Sequence, residues 1–92
     1  MENNYRVISV QIKYLVNLAD KAGRLSETAG FPSGSTLESV QKYLQQMYDI
    51  KLPDPGIMTV LNGRGWNQHP EKMNTPLADG DTILLFPPIA GG

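Results

Sequence analysis

The chain has 92 residues, 40% of them hydrophobic, with 8 Lys and Arg against 9 Asp and Glu and no cysteine. That length holds one compact domain with a modest core and leaves little room for an enzyme with a deep cleft of its own. The lack of cysteine excludes disulfides, thiolate zinc sites and cysteine nucleophiles.

The opening Met1-Glu2-Asn3-Asn4-Tyr5-Arg6 has no basic leader followed by an apolar stretch, and no later run approaches the roughly 20 apolar residues of a membrane span. The basic residues are scattered and form no stripe with interleaved aromatics, so nucleic acid is not an expected partner. A cytoplasmic protein with no membrane partner is expected.

From Val7 to Tyr14, apolar Ile8, Val10, Ile12 and Tyr14 alternate with Ser9, Gln11 and Lys13, which predicts a first strand buried on one face. Leu15, Leu18, Ala19 and Ala22 then recur at helical spacing, and Gly23 supplies a left-handed stop, so a short helical turn is expected. Residues 24–31 form a weaker strand candidate, with Leu25, Glu27 and Ala29 in poor alternation. Ser35 and Glu38 have capping-box spacing and should start the main helix, whose core side carries Leu37, Val40, Leu44, Met47 and Tyr48.

Pro53, Pro55 and Gly56 break the chain after that helix, and residues 57–61 read as a strand. Asn62-Gly63 then makes a tight hairpin turn, with a short return strand around Trp66. Residues 67–75 should be an irregular crossover, and Asp79-Gly80-Asp81 a turn that delivers the chain into a last strand over residues 82–86. That strand is apolar on both faces, with Ile83 and Leu85 pointing one way and Leu84 and Phe86 the other. One pair should meet the helix and leave the other for a partner. The sum is an α+β domain, one sheet wrapped over one main helix, with no internal repeat.

Within the domain the candidates for chemistry are poor. His69, the single histidine, has no second ligand or serine at motif spacing and reads as a solvated loop residue. Gly63-Arg64-Gly65 lacks the lysine and following helix of a phosphate loop, and Asp79 and Asp81 read as turn formers rather than as an acid and base pair. No metal or cofactor is expected on this chain. The end of the chain is different. Pro87-Pro88 cannot continue a sheet ladder and favours an extended arm, Ile89 offers one apolar anchor, and Ala90, Gly91 and Gly92 are slim enough to thread a narrow channel in another protein.

Residues 76–92, Pro-Leu-Ala-Asp-Gly-Asp-Thr-Ile-Leu-Leu-Phe-Pro-Pro-Ile-Ala-Gly-Gly, closely resemble the C-terminal signature of the small subunit of molybdopterin synthase. The wider family of ubiquitin-like sulfur carriers, including the thiamine-biosynthesis carrier, is similar through the Asp-Gly-Asp turn, the strand after it and the terminal Gly91-Gly92. The Val60-Leu61-Asn62-Gly63 hairpin also fits. Two departures distinguish this chain from the molybdopterin branch: Leu18-Ala19-Asp20 stands where that branch carries an Arg-Glu pair, and the crossover over residues 64–75 is longer.

The resemblance implies a β-grasp (ubiquitin-like) domain over residues 1–86 and an extended diglycine tail over residues 87–92. A terminal carboxylate has a pKa of about 3.5, is ionised at neutral pH and is a poor electrophile until activated. In the family a ubiquitin-activating-type adenylating enzyme uses ATP to join AMP to that carboxylate, and a sulfur donor replaces AMP to leave a thiocarboxylate. By resemblance, Gly92 carries the acyl-adenylate and the sulfur, and Gly91 precedes it in the partner's channel. Leu84, Phe86, Pro87, Pro88, Ile89 and Ala90 would contact partners: the adenylating enzyme, and the larger catalytic subunit of molybdopterin synthase or another sulfur acceptor. Thiamine or cysteine synthesis, protein modification through an isopeptide bond at Gly92, and a non-covalent binding module stand as alternatives.

Overall fold

A computed structural model describes residues 6–88. The elements run β1 (Val7–Tyr14), α1 (Asn17–Ala22), β2 (Ser26–Pro32), α2 (Leu37–Tyr48), β3 (Met58–Leu61), β4 (Arg64–Gly65) and β5 (Thr82–Phe86), with 3-10 turns at Trp66–Gln68 and Lys72–Asn74 in the crossover. The sheet order is β2-β1-β5-β3-β4. β1 and β5 lie parallel at its centre, and the other pairings are antiparallel. This is the expected mixed β-grasp sheet with one main helix across one face.

The core follows from the alternation. Val10, Ile12 and Tyr14 of β1 and Ile83 and Leu85 of β5 are fully buried, and they meet Leu37, Val40 and Leu44 of α2. Each such aliphatic side chain contributes about 1.5–3 kcal/mol by leaving water. Gly23 adopts φ 72° and its N–H donates to the Ala19 carbonyl at 2.8 Å, so the short helix ends where expected.

Several boundaries differ from the sequence reading. β2 begins at Ser26, and its inward set is Glu27, Ala29 and Phe31, while Leu25 lies outside the strand and 75% exposed. The alternation looked poor because the residue pointing inward at the start of the strand is a carboxylate. The α2 cap is one residue later than the Ser35 and Glu38 pair. The Thr36 N–H donates to Ser39 Oγ at 3.0 Å, and the Ser35 hydroxyl instead closes the preceding turn on the Pro32 carbonyl at 2.7 Å. Met47, expected in the core, is 57% exposed, because the C-terminal half of α2 turns Tyr43 inward beside the expected Tyr48. Leu15 falls before α1 and is 40% exposed. The return strand is shorter than expected: it ends at Gly65, and Trp66 turns into a 3-10 helix and buries its ring.

Glu27 accounts for the inward face of Tyr14, Tyr43 and Tyr48. Its Oε2 accepts from the Tyr14 and Tyr48 hydroxyls, each at 2.6 Å, and its Oε1 accepts from the Tyr43 hydroxyl at 2.7 Å. The Glu27 side chain is 8% exposed, with the Arg24 guanidinium 3.4 Å away at the surface. The Tyr14 and Tyr43 rings each meet the Tyr48 ring edge-on. Burial alone would push the Glu27 carboxyl up, but the hydrogen bonds from Tyr14, Tyr48 and Tyr43, joined by Arg24, outweigh it and hold the group below its usual value. Burial and then the bond to Glu27 push the Tyr14 and Tyr43 phenols up. One carboxylate thereby clamps β1, β2 and the C-terminal half of α2 together.

Candidate functional site

Pro87 and Pro88, the last described residues, follow β5, and the geometry around that strand sets the surface beside them. In β5 the side chains alternate as expected: Ile83 and Leu85 are fully buried under α2, while Leu84 and Phe86 are half-buried on the opposite face. The register places Met58 of β3 beside Phe86 and Val60 beside Leu84. On the other side Lys13 of β1 lies beside Leu84 and Gln11 beside Thr82. Residues directly opposite in a ladder share a face. The outer face therefore carries an apolar quartet of Met58, Val60, Leu84 and Phe86, with Lys13, Gln11 and Thr82 along its β1 side. Pro87 is half-buried against the domain and Pro88 is exposed. Ile89, Ala90, Gly91 and Gly92 lie outside the described residues.

Met58 and Val60 were missed by sequence reasoning. The alternation of residues 57–61 gives their phase but not the strand they face, which is set by a pairing across more than twenty residues of chain.

The turn that launches β5 is held by side chains rather than built for catalysis. Asp79 Oδ1 accepts the Ser9 N–H at 2.8 Å, and Asp81 Oδ2 accepts the Ala78 N–H at 2.7 Å. Asn62 joins this turn to the hairpin: its Nδ2 donates to Asp81 Oδ1 at 2.9 Å and its Oδ1 accepts the Thr82 N–H at 2.9 Å. Asn62 and Gly63 have φ of 51° and 87°, the pair of positive values expected for the hairpin. Asn62→Ala should lose about 2 kcal/mol of stability, from two hydrogen bonds and a strained positive φ. Urea denaturation reads this directly, and a loss below about 0.5 kcal/mol would show that the clasp contributes no more than an ordinary surface contact.

His69 is not the solvated residue expected. It is half-buried, with Nε2 3.2 Å from the Leu61 carbonyl, because the burial of Trp66 folds the crossover back on β3. In the tautomer protonated at Nε2 it donates that bond. Arg64 is also engaged, donating from Nη2 to the Gln68 carbonyl at 2.9 Å. Among the described residues no group of three or more His, Cys, Asp or Glu side chains could hold a metal ion. None of the helices among them is long and apolar enough to cross a membrane.

An open groove of about 720 Å³ runs from Leu52, Pro53 and Ile57 to Trp66 and Met73, and adjoins the outer face through Met58 and Val60. Among the described residues, Asp54 is the one titratable side chain lining it. The groove therefore lacks the paired groups of an acid and base site.

The family model described as ThiS matches residues 12–92. No curated protein matches the chain. Among solved structures, a Pyrococcus furiosus protein assigned as molybdopterin converting factor subunit 1 is 22% identical, with a TM-score of 0.75 over 89% of this chain and 99% of that one. Small archaeal modifier protein 1 of Methanosarcina acetivorans is 24% identical, with a TM-score of 0.70 over 95% and 99%. The complex of subunits 1 and 2 of molybdopterin-converting factor from Helicobacter pylori contains a chain 24% identical, with a TM-score of 0.63 over 92% and 100%.

Proposed function

The chain belongs to the ThiS family of ubiquitin-like sulfur carriers, and from that premise we propose that it carries sulfur as a thiocarboxylate on Gly92, for molybdopterin synthesis in the cytoplasm. The observation that supports this most is a signature that closely resembles a sulfur-carrier tail, attached to a domain whose described residues hold no catalytic constellation. On this reading the chain acts as a small sulfur-donating subunit, and its partner enzymes supply the catalytic groups.

The steps follow from the chemistry of a carboxylate. A carboxylate oxygen of Gly92 attacks the α-phosphorus of ATP on a ubiquitin-activating-type adenylating enzyme, and pyrophosphate leaves. Sulfide-level sulfur, as hydrosulfide, then attacks the acyl carbon, AMP leaves with the electrons of the broken acyl C–O bond, and loss of the S–H proton gives the thiocarboxylate. The thiocarboxylate passes its sulfur to an acceptor enzyme, for which the two-subunit complex of the Helicobacter pylori relative supports a larger catalytic subunit. On this reading the ATP belongs to the activating enzyme, and no cofactor is expected on this chain. The domain's own contribution is positional. Gly91 and Ala90 keep the tail slim, Ile89 anchors it, Pro87 and Pro88 stiffen it, and Leu84 and Phe86 with Met58 and Val60 dock the partner.

Intact mass after incubation with a cognate adenylating enzyme, ATP and a sulfur donor tests the proposal. One oxygen exchanged for one sulfur at the C-terminus is expected, and no change beside an enzyme that converts its own carrier would overturn it. Phe86→Ala should weaken binding to that enzyme about 30-fold, the size of a central aromatic anchor, in a calorimetric titration. An unchanged affinity would remove the outer face from the interface.

The likeness to small archaeal modifier protein 1 favours a second reading, in which activated Gly92 is transferred to a lysine amine of another protein. Adducts joined through a glycine-lysine isopeptide bond in cell extracts would identify it.

A further inference from the structure

Val16 has φ 56° and ψ −127°, and the Leu18 N–H donates to the Leu15 carbonyl at 3.1 Å. Residues 15–18 thus form a tight turn whose first central position holds the mirror-image angles that glycine normally supplies. Valine is the wrong residue for them. Its branched Cβ crowds the backbone at positive φ, and no burial compensates, since the side chain is 75% exposed. The turn itself serves the fold, since the Val16 carbonyl accepts the Ala19 N–H to start α1 and Leu18 enters the core, but the isopropyl group gains no packing there, which points to a role for it outside the fold.

The surroundings of Val16 suggest that role. Leu15 is 40% exposed, and its N–H donates to the Leu85 carbonyl at 2.9 Å. Leu25 is 75% exposed, and its carbonyl accepts from the Tyr14 N–H at 2.8 Å, while Tyr14 pairs with Leu85 in the parallel ladder. All three exposed aliphatic residues therefore sit around the C-terminal end of β5, where the chain leaves for the tail.

We propose that Leu15, Val16 and Leu25 form a second apolar contact for the adenylating enzyme, made while the tail lies in its active site. This rests on the sulfur-carrier reading above. Residues 87–92 span at most about 20 Å when extended, so an enzyme that takes up Gly92 must bring its own wall against the rim of the domain where β5 ends. The turn at residues 15–18, an elbow with Leu25 beside it, lies on that rim. Its three side chains would press on an apolar shelf of the enzyme, and the turn at Val16 is what holds the isopropyl group out from the surface.

Val16→Gly separates the side chain from the fold, because glycine takes up the same angles without strain. In steady-state adenylation with varied carrier concentration, this variant should raise KM about tenfold with kcat unchanged, the loss of one buried valine contact. Its melting temperature should rise by about 4 °C as the strain is relieved. Leu25→Ser should raise KM without raising the melting temperature. Val7→Ser should leave KM alone, since Val7 is 67% exposed at the opposite end of β1. Wild-type protein that is adenylated normally beside a Val16→Gly variant with the wild-type KM would overturn the elbow contact alone. Wild-type protein that is not adenylated at all would overturn the sulfur-carrier reading, and the elbow contact with it.

Discussion

Alanine at Glu27 should cost about 3–5 kcal/mol of folding free energy, a large share of what a domain of this size possesses. Three phenol hydroxyls, from Tyr14, Tyr43 and Tyr48, donate to this one side chain. Each hydrogen bond to a charged group is worth about 1.5–3 kcal/mol, and its removal leaves a sheltered hydroxyl without an acceptor. Trp66 Nε1 is the one buried side-chain polar atom without a partner among the described residues, so the cluster is satisfied as it stands. Urea denaturation measures the loss, and Glu27→Gln should recover part of it, since one amide oxygen can still accept. A Glu27→Ala protein as stable as wild type would show that the phenols find water at no cost.

The same carboxylate sets an acid limit. Its folded pKa is lowered, so its stabilisation is present above the unfolded value of about 4.5 and is lost as the pH falls through the folded value. Wild-type stability should therefore fall on acidification below about pH 4.5, and Glu27→Gln should remove that part of the slope. Parallel pH profiles for the two proteins would assign acid unfolding to other groups.

One residue appended to Gly92 should lower the rate of acyl-adenylate formation about 100-fold or more, without changing the melting temperature. The extension moves the reacting carboxylate by about 3.5 Å, and misplacement of even 1 Å at a reacting centre can cost about 10²-fold. It alters nothing in the described fold, whose last strand ends at Phe86. Pyrophosphate release on mixing with ATP and the adenylating enzyme reads the effect. An extended chain activated at the normal rate would show that acyl-adenylate formation does not require a carboxylate at the position of Gly92.

Much of the architecture was legible because its signals are local. The alternation of Ile8, Val10, Ile12 and Tyr14 fixed β1, the left-handed stop at Gly23 ended α1, and Asn62-Gly63 placed the hairpin. The two faces of β5 could be separated from its sequence alone, because side chains alternate whatever the strand's neighbours are. The tail residues were legible in a different way, as a motif whose meaning comes from resemblance and not from packing.

What the sequence could not reveal depended on residues brought together from far apart in the chain. Glu27 disrupted the pattern of β2 because a carboxylate faces inward only if distant hydroxyls receive it, and Tyr14, Tyr43 and Tyr48 arrive from other elements. The apolar quartet needed the β3 to β5 register, and the rim needed Leu25 to pair beside Tyr14. The sequence by itself determined the local elements and the inward set of β5, since backbone preference and side-chain period act over a few residues. Only the tertiary structure decided that one half-buried carboxylate binds three elements together and that a strained valine stands exposed where β5 ends, because hydrogen bonding and strand register are settled when the chain closes on itself.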